Sequence, residues 1–237
     1  MKRIYTFGDG YATGHLWPEW PQILAALCTD CEVINNSGVG AGPEYLVHRL
    51  VQNLPSMRDN IAIFQWPNPA RFDKLIEDAE WHKIVDNDPV YHFNRYVHQT
   101  ETWWLSSESK SDEVQQYHKT FIQQQQHNSR SNDYRVLVKN TLENINCKYL
   151  YTTQMDHNYF SMQEKYRNIR QNEIQPSPPI HFDWIMEFII PNLPIEINSD
   201  RADCLKTLIY QQTWEAYHWD RDAIWGNLIA SLNKQCA

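Results

Sequence analysis

The chain has no apolar run long enough to cross a membrane and no cluster of basic residues. Its longest apolar stretch, 184–190, contains Glu187, whereas a membrane helix needs about 20 predominantly apolar residues. The formal net charge is -8 with Lys and Arg scattered, so the electrostatic footprint of a nucleic-acid-binding protein is missing. No apolar segment follows Lys2 and Arg3, so no signal peptide is predicted. Neither a membrane nor a nucleic acid is therefore predicted as a partner.

Cysteines are few, and their number is odd. An odd count of 5 without an export signal predicts reduced thiols in a cytoplasmic setting. Cys28 and Cys31 are spaced as C-x-x-C at a predicted joint between a helix and a strand. Because no second pair or nearby His completes a zinc site, neither a metal nor a cofactor is predicted.

Aromatic residues are plentiful, with 10 Trp and 13 Tyr in 237 residues. The length and a hydrophobic fraction of 42% suit a single domain spanning 1–237. Most aromatic side chains are expected in the core, but a surplus also suits stacking surfaces and interface anchors. The candidates for such anchors are Trp17, Trp20, Trp66, Trp103, Trp104, Trp219 and Trp225.

The segment 1–66 alternates between short apolar runs and helical periodicity, which predicts a βαβαβ unit with parallel strands. The run 60–66 is almost continuously apolar, as expected of a central strand buried on both faces. The predicted strands are Ile4–Phe7, Glu32–Asn35 and Asn60–Trp66, and the predicted helices are Pro18–Leu27 and Pro43 to about Leu54.

The rest of the chain is predicted as a helical and loop elaboration at about 72–145, one more strand and closing helices. Helical periodicity is read at Phe72, Leu75, Ile76 and Ala79, and 123–129 is interpreted as a loop or an exposed helix end. A helix over 133–144 is expected to bury Val136, Val138 and Leu142, and a strand to follow over 147–153. Further helices are predicted at 180–190 and, in two pieces with a break near His218, over 201–229.

The stretch Ile4 to Gly14 reads I-Y-T-F-G-D-G-Y-A-T-G, a strand followed at once by a glycine-rich turn. It resembles the first sequence block of the SGNH (GDSL) hydrolase family, F-G-D-S-x-T-x-G. Phe7, Gly8, Asp9 and Gly14 match that block, Thr13 lies one position after its threonine, and Gly10 stands at the position of the catalytic serine.

Two further segments resemble the family's second and third blocks, which supply donors to the oxyanion hole. The turn 35–42 follows a strand, and its Gly40 is the best positional match for the donor glycine, with Gly38 and Gly42 as alternatives. Asn68, in Trp66-Pro67-Asn68-Pro69, falls at the offset of the third-block asparagine, although the flanking Gly and Asp of that block are missing. Both segments also suit ordinary tight turns.

Glu215 and His218, with Trp219 following, reproduce the spacing of the last block of the family, D-x-x-H near the C-terminus, with Glu in place of Asp. The resemblance implies a carboxylate that holds the imidazole in one tautomer. A competing alignment places Asp222-Ala223-Ile224-Trp225 at this block, in which case the histidine is absent as well.

The resemblance implies an α/β fold, a doubly wound and mostly parallel sheet of about five strands between helices. Because Gly10 cannot attack an acyl carbonyl, the leading hypothesis is a degenerate member that binds a carbohydrate or acylated ligand, or a protein partner. Trp66, Arg71 and Trp219 are its candidate binding residues. Such a protein suits the cytoplasm or a larger assembly such as a phage virion. The alternative is an active esterase or polysaccharide deacetylase with a reassigned nucleophile, or with water activated by His218 and assisted by Asp9 or Thr13.

Overall fold

The structure is a computed structural model that describes residues 1–9, 12, 18–38, 41–67, 69, 73–77, 102–106, 116, 124–153, 177–214 and 221–236. For residues 73–77, 102–106, 124, 125, 127, 153 and 221 it describes the backbone and not the side chains. Six strands and the helices around them lie within these ranges.

Four strands form one parallel sheet. They are β1 (Lys2–Phe7), β2 (Cys31–Asn35), β3 (Ile61–Trp66) and β6 (Lys148–Thr153), in the order β2-β1-β3-β6. β1 pairs with both β2 and β3, so the chain leaves β1 on one side and returns to it on the other. This reversal defines a topological switch point between β1 and β3.

Alternate residues of β1 and β3 point to opposite faces of the sheet, and both faces are covered. Ile4, Ile61 and Ile63 belong to one buried cluster, while Tyr5 and Phe64 belong to the other. A strand buried on both faces needs apolar residues at odd and at even positions, which explains why 61–66 is a nearly continuous apolar run. The fold is therefore an α/β sandwich with helices on each side of the sheet.

The face of Ile4 is covered by helices from the start and the end of the chain. They are α1 (Trp20–Leu27), a long helical segment that begins as α4 (Pro178–Trp184), α5 (Ser199–Gln211) and α6 (Arg221–Gln235). The long segment continues from α4 as a turn of π-helix over Ile185–Ile189 and ends with Ile190–Asn192. None of the described helices is both long and apolar enough to span a membrane.

The opposite face is covered by α2 (Pro43–Met57) and α3 (Gln124–Asn144). The helix α2 extends beyond Leu54, where the sequence predicts its end, and it contains Pro55. Pro55 lies in the last turn, where a missing N–H removes one hydrogen bond only. The fully buried Met57 follows it, so packing of that side chain accounts for the extra turn.

The prediction for the middle of the chain is wrong in one segment. Residues Asp73–Glu77 form β4, which pairs antiparallel with β5 (Thr102–Ser106) in a separate two-stranded sheet, so the helical periodicity through Leu75 and Ile76 is misleading. Short apolar runs fit both periods, and a partner strand far along the chain decided between them. In the described part of the chain the parallel sheet has four strands, against about five predicted.

The polar run 123–129 proves to be a helix end, because α3 begins at Gln124, well before the predicted Asp133. Val138 and Leu142 are fully buried as predicted, but Val136 is 57% exposed. Val138 and Leu142 form an i, i+4 pair on one helix face, which Val136 does not share. The remaining predicted strands and the helices α1 and α4 agree with the structure within a few residues at each end. The two closing helices are Ser199–Gln211 and Arg221–Gln235, against a predicted 201–229 with a break near His218, which lies outside the described residues.

Two of the tryptophans proposed as interface anchors lie in the core instead. Trp20 is fully buried, and Trp66 is 1% exposed. Trp225 is half-buried and packs against the cluster that contains Ile4. These three side chains fill space in or beside the core, which explains part of the aromatic surplus.

Candidate functional site

The switch point places the carboxyl ends of β1 and β3 side by side, where sites of open α/β sheets are built. The turns after β1 and β2 lead into α1 and α2, so the first turns of these helices begin at the same edge. Helix N-termini carry partial positive charge and orphan N–H groups, which favours an anionic or oxygen-rich ligand at such an edge.

The turn after β1 is tightly packed. The amide of Ala12 donates to the carbonyl of Asp9 at 2.9 Å, closing one turn, and the Asp9 residue is fully buried. A Cβ placed on Gly8 would lie 2.8 Å from the Cβ of Ala12 and 3.3 Å from that of Gln65. Only glycine therefore fits at position 8 without movement of its neighbours.

The turn after β2 is bonded to the turn after β1 by backbone hydrogen bonds. Asn36 N donates to Thr6 O at 2.8 Å, and Gly38 N donates to Gly8 O at 3.0 Å. The strand pairing of β1 and β2 thus continues beyond Asn35 into the glycine-containing segment. This continuation holds the first-block and second-block segments of the predicted site next to each other.

The Asn35 side chain completes the connection between the two turns. Its Oδ1 accepts hydrogen bonds from Thr6 Oγ1 at 3.1 Å and from the Ser37 amide at 3.0 Å. Its Nδ2 donates to the carbonyl of Ala12 at 2.6 Å. One amide group, on a residue that is itself exposed, therefore satisfies polar groups of both turns.

Asn36 connects the same turn to α2. Its Oδ1 accepts hydrogen bonds from Arg49 Nη2 and from Asn53 Nδ2, both at 3.0 Å. Burial and the neighbouring Arg49 charge lower the pKa of His48 in the same helix. The hydrogen bonds from Arg49 and Asn53 to Asn36 fix α2 to the β2 turn.

At the end of β3, a polar side chain lies inside the core. Gln65 is fully buried, and its Oε1 accepts a hydrogen bond from Trp20 Nε1 at 3.1 Å. Its Nε2 has no hydrogen-bond partner among the described residues. A buried amide donor of this kind costs free energy unless a ligand or water accepts its hydrogen bond.

Trp66 follows Gln65 but points to the other face of the sheet. Its ring stacks on Phe64 with centroids 5.5 Å apart, meets Tyr151 edge-on at 5.7 Å, and lies 5.6 Å below the Arg135 guanidinium. The Trp66 side chain is thus packed within the protein, with 1% of its surface exposed. Direct stacking of Trp66 on a carbohydrate, as the sequence suggested, does not agree with this burial.

A buried histidine on α4 was not among the residues predicted for the site. His181 is fully buried, and desolvation lowers its pKa to about 3, so the imidazole is neutral near pH 7. It lies one helical turn before Trp184, whose ring meets Trp20 edge-on at 5.6 Å. Just after the far end of this segment, Pro194 O accepts a hydrogen bond from Lys2 Nζ at the start of β1, so His181 lies toward the carboxyl edge of the sheet.

Most of the site residues predicted from the sequence lie outside the described residues, and their roles stay predictions. They are Gly10, Gly40, Asn68, Arg71, Glu215, His218 and Trp219. Asp9 is described and lies at the edge, whereas the competing segment from Asp222 to Trp225 lies within the first turns of α6. Across the described ranges, no three His, Cys, Asp or Glu side chains gather as a metal site.

The sequence contained one signal for the polar groups at this edge. Gln65 is the single polar residue in the apolar strand Ile61–Trp66, which sets it apart from a pure core position. Nothing comparable in the sequence indicated the hydrogen bonds of Asn35 with Thr6 and Ala12, because they depend on how the two turns approach each other. No family model, curated protein or solved structure matches this chain.

Proposed function

We propose that this protein is an SGNH-hydrolase-like binding protein that lacks the nucleophilic serine and holds a carbohydrate or acylated ligand at the carboxyl edge of its sheet. The observation that carries the proposal is the bonded pair of turns after β1 and β2, where Gly38 N donates to Gly8 O and Asn35 joins both. The sequence resemblance assigns the first and second blocks of the family to these two turns.

The proposed ligand contacts follow from the chemistry of that edge. Hydroxyl and acyl oxygens accept hydrogen bonds from N–H groups, which the edge offers at the N-terminus of α2 and at Gln65 Nε2. The first turn of α1 is already capped by the buried Glu19 side chain. Gly10 has no side chain with which to form a covalent intermediate, so binding without turnover is the expected result. An enzyme that loses its triad nucleophile keeps only about 10³–10⁴-fold acceleration over water.

Hydrolysis of an acetyl ester by the purified protein tests this proposal, beside the variants Gly10→Ser, His218→Ala and the double variant. We expect no turnover by the unmodified protein, and turnover by Gly10→Ser because a hydroxyl then lies at the first-block position. This gained activity should disappear in the double variant, in which no imidazole takes the proton of the serine.

Turnover by the unmodified protein that is lost in His218→Ala would overturn the binding proposal. It would favour a second candidate function, an esterase of the same family with a different nucleophile. Ser37 supports that candidate, because its buried hydroxyl lies in the β2 turn and has no hydrogen-bond partner among the described residues. A Ser37→Ala variant separates the two outcomes, since loss of activity there identifies the replacement nucleophile.

A further inference from the structure

Two cysteines meet at the edge of the sheet opposite the candidate site. Cys28 ends α1 as its C-cap residue, and Cys31 begins β2. The two thiols are free, and each shifts the pKa of the other, so their side chains are neighbours. The C-x-x-C spacing thus places both side chains near each other where a helix passes into a strand, and such proximity is the first requirement for a disulfide.

The two thiols differ in their surroundings. Cys28 is 7% exposed, and its position at a helix C-terminus disfavours a negative charge. The hydrogen bond to Cys31 and burial raise the pKa of Cys28, whereas the hydrogen bond from Cys28 lowers the pKa of Cys31. The thiolate therefore forms preferentially on Cys31.

Cys31 lines a cavity whose charged lining residues are Lys2, Asp30 and Glu196. Lys2 is the residue paired with Cys31 in the β1–β2 register, and its charge lowers the pKa of Cys31, while Asp30 raises it. Access is supplied by the cavity of about 260 Å³ that Cys31, Lys2 and Asp30 line together with residues 194–196. Cys31 is half-buried at the wall of this cavity, so a small disulfide can approach its sulfur.

We propose that Cys28 and Cys31 are a redox-active pair that exchanges with low-molecular-weight disulfides, with Cys31 as the attacking thiol and Cys28 as the resolving thiol. This role lies beyond the proposed binding function and depends on none of its residues. It also differs from the reduced structural thiols that the sequence predicts.

The exchange has two steps. The Cys31 thiolate attacks one sulfur of a disulfide R–S–S–R, so that a Cys31–S–S–R bond forms and R–S⁻ leaves and takes a proton from solvent. The Cys28 thiol then gives its proton to solvent and attacks the Cys31 sulfur, releasing the second R–S⁻. The protein dithiol is oxidised to a Cys28–Cys31 disulfide while one small disulfide is reduced to two thiols.

Peptide mapping after equilibration in glutathione buffers of increasing disulfide content tests the proposal. The Cys204→Ser/Cys236→Ser background removes the other pair of thiols that lie near each other. Trypsin releases Cys28 and Cys31 together in the peptide 4–49, and Cys147 in a separate peptide. We expect a disulfide within peptide 4–49 that reverts on addition of dithiothreitol, while Cys147, whose pKa burial raises to about 12, stays reduced.

Single variants in the same background identify the order of attack. Cys28→Ser should stop at a mixed disulfide between Cys31 and glutathione, because no resolving thiol remains. Cys31→Ser should leave Cys28 unmodified. Since either serine can perturb folding, iodoacetamide labelling of the unsubstituted protein gives a second measure: Cys31 should react at least about tenfold faster than Cys28.

Three results would overturn the proposal. The first is a Cys28–Cys31 pair that stays reduced in every glutathione buffer, and the second is oxidation that links two copies of the chain instead. The third is a mixed disulfide on Cys28 in the Cys31→Ser variant, which would reverse the order of attack.

Discussion

At the scale of single residues, the carboxyl edge of the sheet depends on side chains that are absent or very small. Gly8 approaches both Ala12 and Gln65, and its carbonyl accepts the hydrogen bond from Gly38. A methyl group at Gly8 would press on Ala12 within the same turn and on Gln65 of β3. The identity of the residue at position 8 is therefore set by close approach, whereas Gly226 on α6 has open space around it.

We expect Gly8→Ala to lower the free energy of unfolding by about 1–3 kcal/mol, because the new Cβ would lie 2.8 Å from the Cβ of Ala12. The matched control is Gly226→Ala, which should raise stability by about 0.5–1 kcal/mol because alanine is the better helix former. Urea unfolding followed by tryptophan fluorescence measures both. Equal effects of the two substitutions would contradict close packing at Gly8.

At the scale of elements, local patterns predicted the units whose partners are near in sequence. The β1–α1–β2–α2–β3 half follows from apolar runs and helical periodicity that alternate along the segment 1–66. The pairing of β4 with β5 escaped prediction because the segment 78–101 separates the two strands and local periodicity does not show such a partner. Packing also decided the last turn of α2, where Met57 is buried.

The first turn of α5 shows how a single side chain defines where a helix begins. Asn198 precedes the helix, and its Oδ1 accepts a hydrogen bond from the Arg201 amide at 3.0 Å. We expect Asn198→Ala to destabilise the protein by about 1 kcal/mol, and Asn198→Ser to cost less because serine keeps an acceptor at the N-cap. Thermal unfolding by circular dichroism measures the order of the three proteins, and an alanine variant as stable as the serine variant would exclude this capping role.

At the scale of the whole molecule, helices from both ends of the chain meet on one face of the sheet. The Arg201 guanidinium of α5 donates to Ala26 O on α1 at 2.7 Å and to Asn233 Oδ1 on α6 at 3.1 Å. α1 also packs on α4, where His181 is fully buried. Since this histidine is neutral in the folded protein, its protonation is coupled to global unfolding.

The stability of the protein should fall as the pH is lowered, and His181 should contribute to that fall. Its folded pKa is about 3, against about 6.5 in an unfolded chain, so between these values the unfolded state binds a proton that the folded state does not. The effect of His181 on the free energy of unfolding is absent above about pH 6.5, and at pH 5 it lowers that free energy by about 2 kcal/mol. Urea unfolding of the unmodified protein and of His181→Gln at neutral pH and at pH 5 measures it.

The quantity to compare between the two proteins is the change in the free energy of unfolding from neutral pH to pH 5. The other histidines contribute equally to both proteins. The His181→Gln variant should lose less stability between neutral and acidic pH, whatever its stability at neutral pH. An identical pH dependence in the two proteins would show that His181 does not titrate with unfolding.

The sequence by itself determined the α/β class, most element positions and the absence of a side-chain nucleophile at Gly10, because these depend on local periodicity and residue identity. Tertiary structure alone decided the strand order, the bonding of the β1 and β2 turns through Asn35, and the burial of Gln65, Trp66 and His181. The physical reason is that a local pattern reports which side of an element is apolar, whereas hydrogen bonds and desolvation depend on which distant segment covers that side.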